Sequence, residues 1–181
     1  MKKCYATTIP ALLIGAVLMA CATKEVARVP VIPGPLAVSA NQALWRVLRA
    51  NGVQIYECKA SQNDPTRLEW TFKAPAAELR DSKGTIVGRH YAGPTWEAND
   101  GSKVVGEVTA RDNGPDPDAI PWLLLRATST SGPGALSRTT SIQRLNTWGG
   151  EAPASACDSE QAGQEARVPY RADYFFYTRR P

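Results

Sequence analysis

The densest concentration of polar and aromatic side chains in this 181-residue sequence runs from Gly88 to Ser102, and it holds the single histidine, His90. Tyr91, Trp96, Glu97 and Asp100 lie within the same stretch. Aromatic rings stack on a sugar or line an apolar ligand, and carboxylates accept its hydrogen bonds, so these five residues form a candidate ligand surface. They read equally as two strands around turns, with Trp96 in a core and Asp100-Gly101 making a turn. Glu97 and Asp100 are also the inventory of a glycosidase, whose carboxyls must face each other across about 5–9.5 Å. As a metal site His90, Glu97 and Asp100 fall short, because zinc draws on more His or Cys than the chain offers. No metal or other cofactor is expected. A Ser-His-Asp triad would need His90, and no Gly-x-Ser-x-Gly elbow is present. Asp112, Asp116 and Asp118 do not match calcium-loop spacing, and Pro115 and Pro117 mark a solvated turn.

The four cysteines divide by position. Residues 1–20 carry Lys2 and Lys3, then an apolar run from Ile9 to Ala20 that is too short to span a bilayer. The run ends in Leu18-Met19-Ala20-Cys21, which resembles a bacterial lipobox and assigns 1–20 as a lipoprotein signal peptide. Cys21 then carries the lipid, with acyl chains such as palmitate as the anchor. Ala22 follows, not Asp, which favours the outer membrane under the sorting rule for enterobacterial lipoproteins. Residues 21–42 contain Pro30, Pro33 and Pro35 and read as an extended tether. Cys4 leaves with the signal, and Cys58 and Cys157 remain to pair in an oxidising compartment. Losing Lys2 and Lys3 takes the formal charge from +4 to +2, so no nucleic-acid partner is expected.

Strand patterns dominate the domain at 43–181. Asn51-Gly52 sits between two β-rich flanks and predicts a hairpin over 43–58, with a helix over 40–50 as the competing reading. Leu68, Trp70 and Phe72 alternate with Glu69, Thr71 and Lys73 as a half-buried strand. Further strands are expected at 85–91, 95–98, 103–110, 120–126, 140–145 and 167–178, with a long loop over 148–166 that holds Cys157. The Trp residues at 45, 70, 96, 122 and 148 are evenly spaced, but the glycines after them keep no register, so they do not mark a repeat. Short strands with frequent turns predict a mainly β fold, a single antiparallel sandwich or barrel built from hairpins, stapled by one disulfide.

Gly52-Val-Gln-Ile-Tyr-Glu-Cys58, Gly88-Arg-His-Tyr-Ala-Gly-Pro-Thr-Trp-Glu-Ala98, Ile120-Pro-Trp-Leu-Leu-Leu125, Ile142-Gln-Arg144 and Val168-Pro-Tyr170 together resemble the domain-of-unknown-function family numbered 3455. The resemblance runs over about residues 43–178 and implies no activity. The absence of a Gly-x-Gly-x-x-Gly turn argues against a dinucleotide enzyme. The expectation is a lipoprotein of the bacterial envelope that faces the periplasm and binds a ligand or protein there without catalysis. The alternative is a hydrolase of envelope polysaccharide acting through Glu97 and Asp100.

Overall fold

The computed structural model describes residues 31–181. The signal peptide, Cys21 and the tether up to residue 30 lie outside the described residues. Eight antiparallel strands follow one another: β1 (Gln42–Ala60), β2 (Leu68–Arg80), β3 (Ile86–Tyr91), β4 (Thr95–Ala98), β5 (Lys103–Asp112), β6 (Trp122–Ser131), β7 (Ser141–Gly149) and β8 (Glu165–Arg179). Each pairs with its sequence neighbours, and β1 pairs with β8 to close the sheet into a barrel. Closure removes the exposed edges that an open sheet would leave.

The hairpin expected at Asn51-Gly52 is not formed. The chain runs straight through as β1, and Gly52 faces Ala77 on one side and Tyr170 on the other. Glycine is needed here for space rather than for a turn. A Cβ on Gly52 would collide with the backbone of Ala76 and Ala77 on β2. The helix reading of 40–50 is likewise overturned, since these residues are strand. Pro75 lies inside β2, at a point where β3 has not begun to pair, because that ladder covers Ala77 to Arg80. A proline needs such an unpaired stretch.

Alternation sorts the strands into an inner and an outer face. Leu48, Ala50, Leu79, Trp96, Val104, Leu123, Leu125, Ile142, Tyr170, Tyr174 and Phe176 are among the buried core that fills the barrel. A second cluster, Leu36, Trp122, Leu145 and Phe175, forms on the outer wall. Here the end of the expected tether packs down: Leu36, in a short 3-10 turn at Gly34–Leu36, is 0% exposed. Its carbonyl accepts a bond from Gln143 Nε2 at 2.6 Å. The evenly spaced Trp residues take different places: Trp96 fills the barrel, Trp122 packs on the outer wall, and Trp45 and Trp148 are half exposed.

The two ends of the barrel differ. One carries the turns at 81–85, 99–102 and 132–140, and Leu136 from the last of these is buried in the core. The other carries the connections at 61–67, 92–94, 113–121 and 150–164. There the Cys58–Cys157 disulfide ties the end of β1 to the longest connection across 99 residues of sequence.

Candidate functional site

The five residues of the candidate surface separate into three places. His90 and Trp96 point into the barrel, where their rings stack at 4.4 Å between centroids, 11° from parallel. Tyr91 and Glu97 are on the outer wall. Glu97 accepts from the Tyr91 hydroxyl at 2.7 Å and pairs with Arg89 at 3.0 Å and Lys103 at 3.6 Å. The Tyr91 hydroxyl bond, then Arg89, holds its carboxyl below the usual range. Asp100 belongs to the closed end. It accepts from the Ser102 hydroxyl at 2.6 Å, the Ser102 amide at 2.9 Å and the Ala135 amide at 2.7 Å, which lock the turn against the plug that carries Leu136. Those bonds, the Ser102 hydroxyl foremost, lower its pKa. Each carboxylate is engaged by its own neighbours rather than turned with the other toward a shared cleft. Asp112 and Asp116 cap the amides of Gly114 and Asp118, as turn residues do.

The inner pair opens onto a cavity of about 510 Å³ at the disulfide-bearing end of the barrel. Its size is that of an ordinary small-molecule site. Val108, Ile120, Leu123, Leu125 and Trp96 supply apolar wall, and Phe72, Gly93, Arg111 and Glu151 stand at the mouth. A larger groove of about 790 Å³ lies on the outside between the leading segment and β5–β7, but it is shallower and more open.

The polar groups distinguish the inner cavity. Gln54 is 2% exposed, Trp96 1% and Tyr174 1%, and all three line it. Gln54 Nε2 and Trp96 Nε1 have no hydrogen-bond partner among the described residues. The hydroxyls of Tyr170 and Tyr174 approach each other, and Tyr174 also nears Arg144, but none of these contacts reaches good hydrogen-bond geometry. A buried donor left unpaired costs about 1–3 kcal/mol, so these groups call for a water or another polar partner inside the cavity.

Arg144 reaches the same space from β7. Its Nε and Nη2 donate to the Pro121 carbonyl at 3.0 and 2.8 Å, and it makes no ion pair among the described residues. Its remaining N–H groups lie toward the Tyr174 hydroxyl. His90 is neutral. Burial drives its pKa to about 3, the bond to Thr95 works against this, and Arg144 adds to it. Because Nδ1 lies 2.9 Å from the Thr95 carbonyl, Nδ1 holds the proton and Nε2 is left as an acceptor. Tyr56 donates to the Gly150 carbonyl at 2.6 Å, and its burial, then Glu151, pushes its pKa to about 12. Gly150 has a φ of +84°, and a Cβ there would meet Tyr170 and Gln54 at 2.8 and 3.0 Å, so glycine alone lets the 150–164 connection fold across the lumen.

Gln54, Tyr56, Arg144 and Tyr174 were not among the sequence candidates. The period-two phase of their strands could have found them. Gln54 falls in phase with Leu48 and Ala50, and Arg144 with Ile142, which makes each a polar residue on an inward face.

No curated protein and no solved structure matches the chain. A family model described as a protein of unknown function, DUF3455, matches residues 38–178, which take in all eight strands but the last residue of β8. The chain belongs to the DUF3455 family.

Proposed function

We propose that this chain is a lipoprotein of the bacterial envelope, anchored by acyl chains on Cys21 and facing the periplasm, whose barrel binds a small molecule in its inner cavity without catalysing a reaction. The observation that carries the binding reading is the pair of buried, unpartnered donors, Gln54 Nε2 and Trp96 Nε1, on the wall of that cavity. An eight-stranded barrel is wide enough to hold one small ligand when its side chains leave room. The Leu136 plug closes one end, so the space is a cup with a single mouth. Glu97 and Asp100, the carboxylates of the hydrolase alternative, lie outside its lining and are engaged by their own neighbours.

The test is a neutral environment-sensitive dye. Nile red is expected to bind the purified chain with enhanced emission. Val108→Trp, which fills the cavity, is expected to abolish that enhancement while the circular dichroism spectrum and melting cooperativity stay intact. Dye binding that survives the filling substitution refutes the reading. For the anchor, globomycin or Cys21→Ser is expected to block maturation in cells, and unchanged processing refutes it.

A further inference from the structure

The charges and donors around the cavity select among ligands. We infer that the cup takes a small monocarboxylic acid with an apolar body, its carboxylate set against Arg144. This rests on the cavity being a ligand site, and it adds the ligand's chemical class. Three observations carry it. First, the guanidinium of Arg144 is inside the barrel, is held in place by the Pro121 carbonyl, and has no carboxylate partner among the described residues. A guanidinium presents N–H groups in the plane that a carboxylate fits.

Second, two unpartnered groups that line the same cavity are donors: Gln54 Nε2 and Trp96 Nε1. Their complement is a ligand atom with several lone pairs, and a carboxylate provides four lone-pair sites on two oxygens. Third, the charges on the lining are mostly positive: Lys73, Arg111 and Arg144 stand against Glu151, and Lys73 is taken up by Glu57 and Glu165. The lining favours an anion, and Arg144, inside the barrel, offers it one guanidinium. The neutral His90 adds no charge, and its bare Nε2 disfavours oxygens spread on every side, as a phosphate would place them. The remaining wall, from Val108, Ile120, Leu123 and Leu125, is apolar and takes a hydrocarbon body.

The experiment displaces Nile red from the full chain with matched pairs: octanoate against 1-octanol, and 2-naphthoate against 2-naphthylmethanol, with inorganic phosphate as a separate arm. Each acid is expected to bind at least tenfold tighter than its alcohol, the difference a charge-assisted pair supplies. The assigned indole N–H resonance of Trp96 is expected to move downfield with the acids and not with the alcohols. Arg144→Gln is expected to bring each acid down to its alcohol. Should that variant fail to fold, Gln54→Leu is expected to weaken the acids several-fold and leave the alcohols unchanged. Equal binding of acid and alcohol, a stationary Trp96 resonance, or displacement by phosphate alone overturns the carboxylate inference while dye binding still supports the cavity. Absence of Nile red binding overturns the cavity reading itself.

Discussion

Lowering the pH from 7 to 5 is expected to destabilise the barrel by about 2 kcal/mol, and His90 is the reason. In the unfolded chain the imidazole takes its ordinary pKa of 6.5, whereas burial in the folded barrel lowers it to about 3. The unfolded state therefore binds a proton that the folded state refuses, and stability falls as pH drops below 6.5. Each unit between the two values is worth about 1.4 kcal/mol, so at pH 5 the loss is about 2 kcal/mol and at pH 3 it is about 4 kcal/mol. The groups around the ring agree with the sign. Thr95 offers one carbonyl, Trp96 and Tyr174 pack on the faces and edge, and Arg144 repels a second positive charge. The window from pH 7 to 5 isolates this group, because His90 is the chain's single histidine. The carboxylates that lose their stabilising bonds on protonation, Glu97, Asp100 and Glu165, do so at more acid pH, below their ordinary values of 4.5, 3.8 and 4.5. The assay is urea unfolding at pH 7 and pH 5, with His90→Gln as the control in which the difference disappears. Equal stability at the two values, or a His90 ring proton in the folded protein that titrates near 6.5, refutes the reasoning.

Gly52→Ala is expected to lower stability by about 2–4 kcal/mol in the same assay, because the new methyl must push β2 away from β1, where a turn glycine in open space such as Gly101 would lose only about 1–2 kcal/mol to its positive φ. Cys157→Ser is expected to cost about 2–5 kcal/mol and to expose the 150–164 connection to limited proteolysis, since the bridge closes a loop of 99 residues. Leu36→Ala, which empties a fully buried place on the outer wall, is expected to cost about 2–5 kcal/mol by urea unfolding. Glu97→Gln is expected to leave the urea midpoint and Nile red binding nearly unaltered, because its partners Arg89 and Lys103 are exposed and lie outside the barrel.

The strands, their antiparallel order and the Cys58–Cys157 bridge were legible because each rests on local pattern or on counting. Leu68, Trp70 and Phe72 alternate, and Cys58 and Cys157, the two cysteines of the β domain, had one available pairing. The Asn51-Gly52 misreading has the opposite origin. A dipeptide that favours positive φ also permits close approach, and the choice between them belongs to the closed barrel, in which β1 must pair with β2 and β8 along the same residues. The five residues of the candidate surface came apart for a related reason. Proximity in sequence joined His90 and Trp96 to Glu97, but one step along a strand turns a side chain through the wall. Asp100 lies past the strand altogether, in the turn of the closed end. Arg144 and Gln54 lay far from His90 in sequence and came beside it only through closure. The burial of Leu36 was hidden because proline-rich composition speaks for extension and is silent on what an extended segment lies against.

The leading segment also gives the barrel a compass. Val31 and Pro33 lie beside Asp112, Gly114, Pro115 and Trp122, at the mouth end, and the chain then runs along the outer wall to begin β1 at the closed end. On the proposed anchoring at Cys21, residue 31 would be the point from which the anchor pulls, and the ten residues between them would reach at most about 36 Å. Such a pull would bring the rim rather than the plug toward the bilayer.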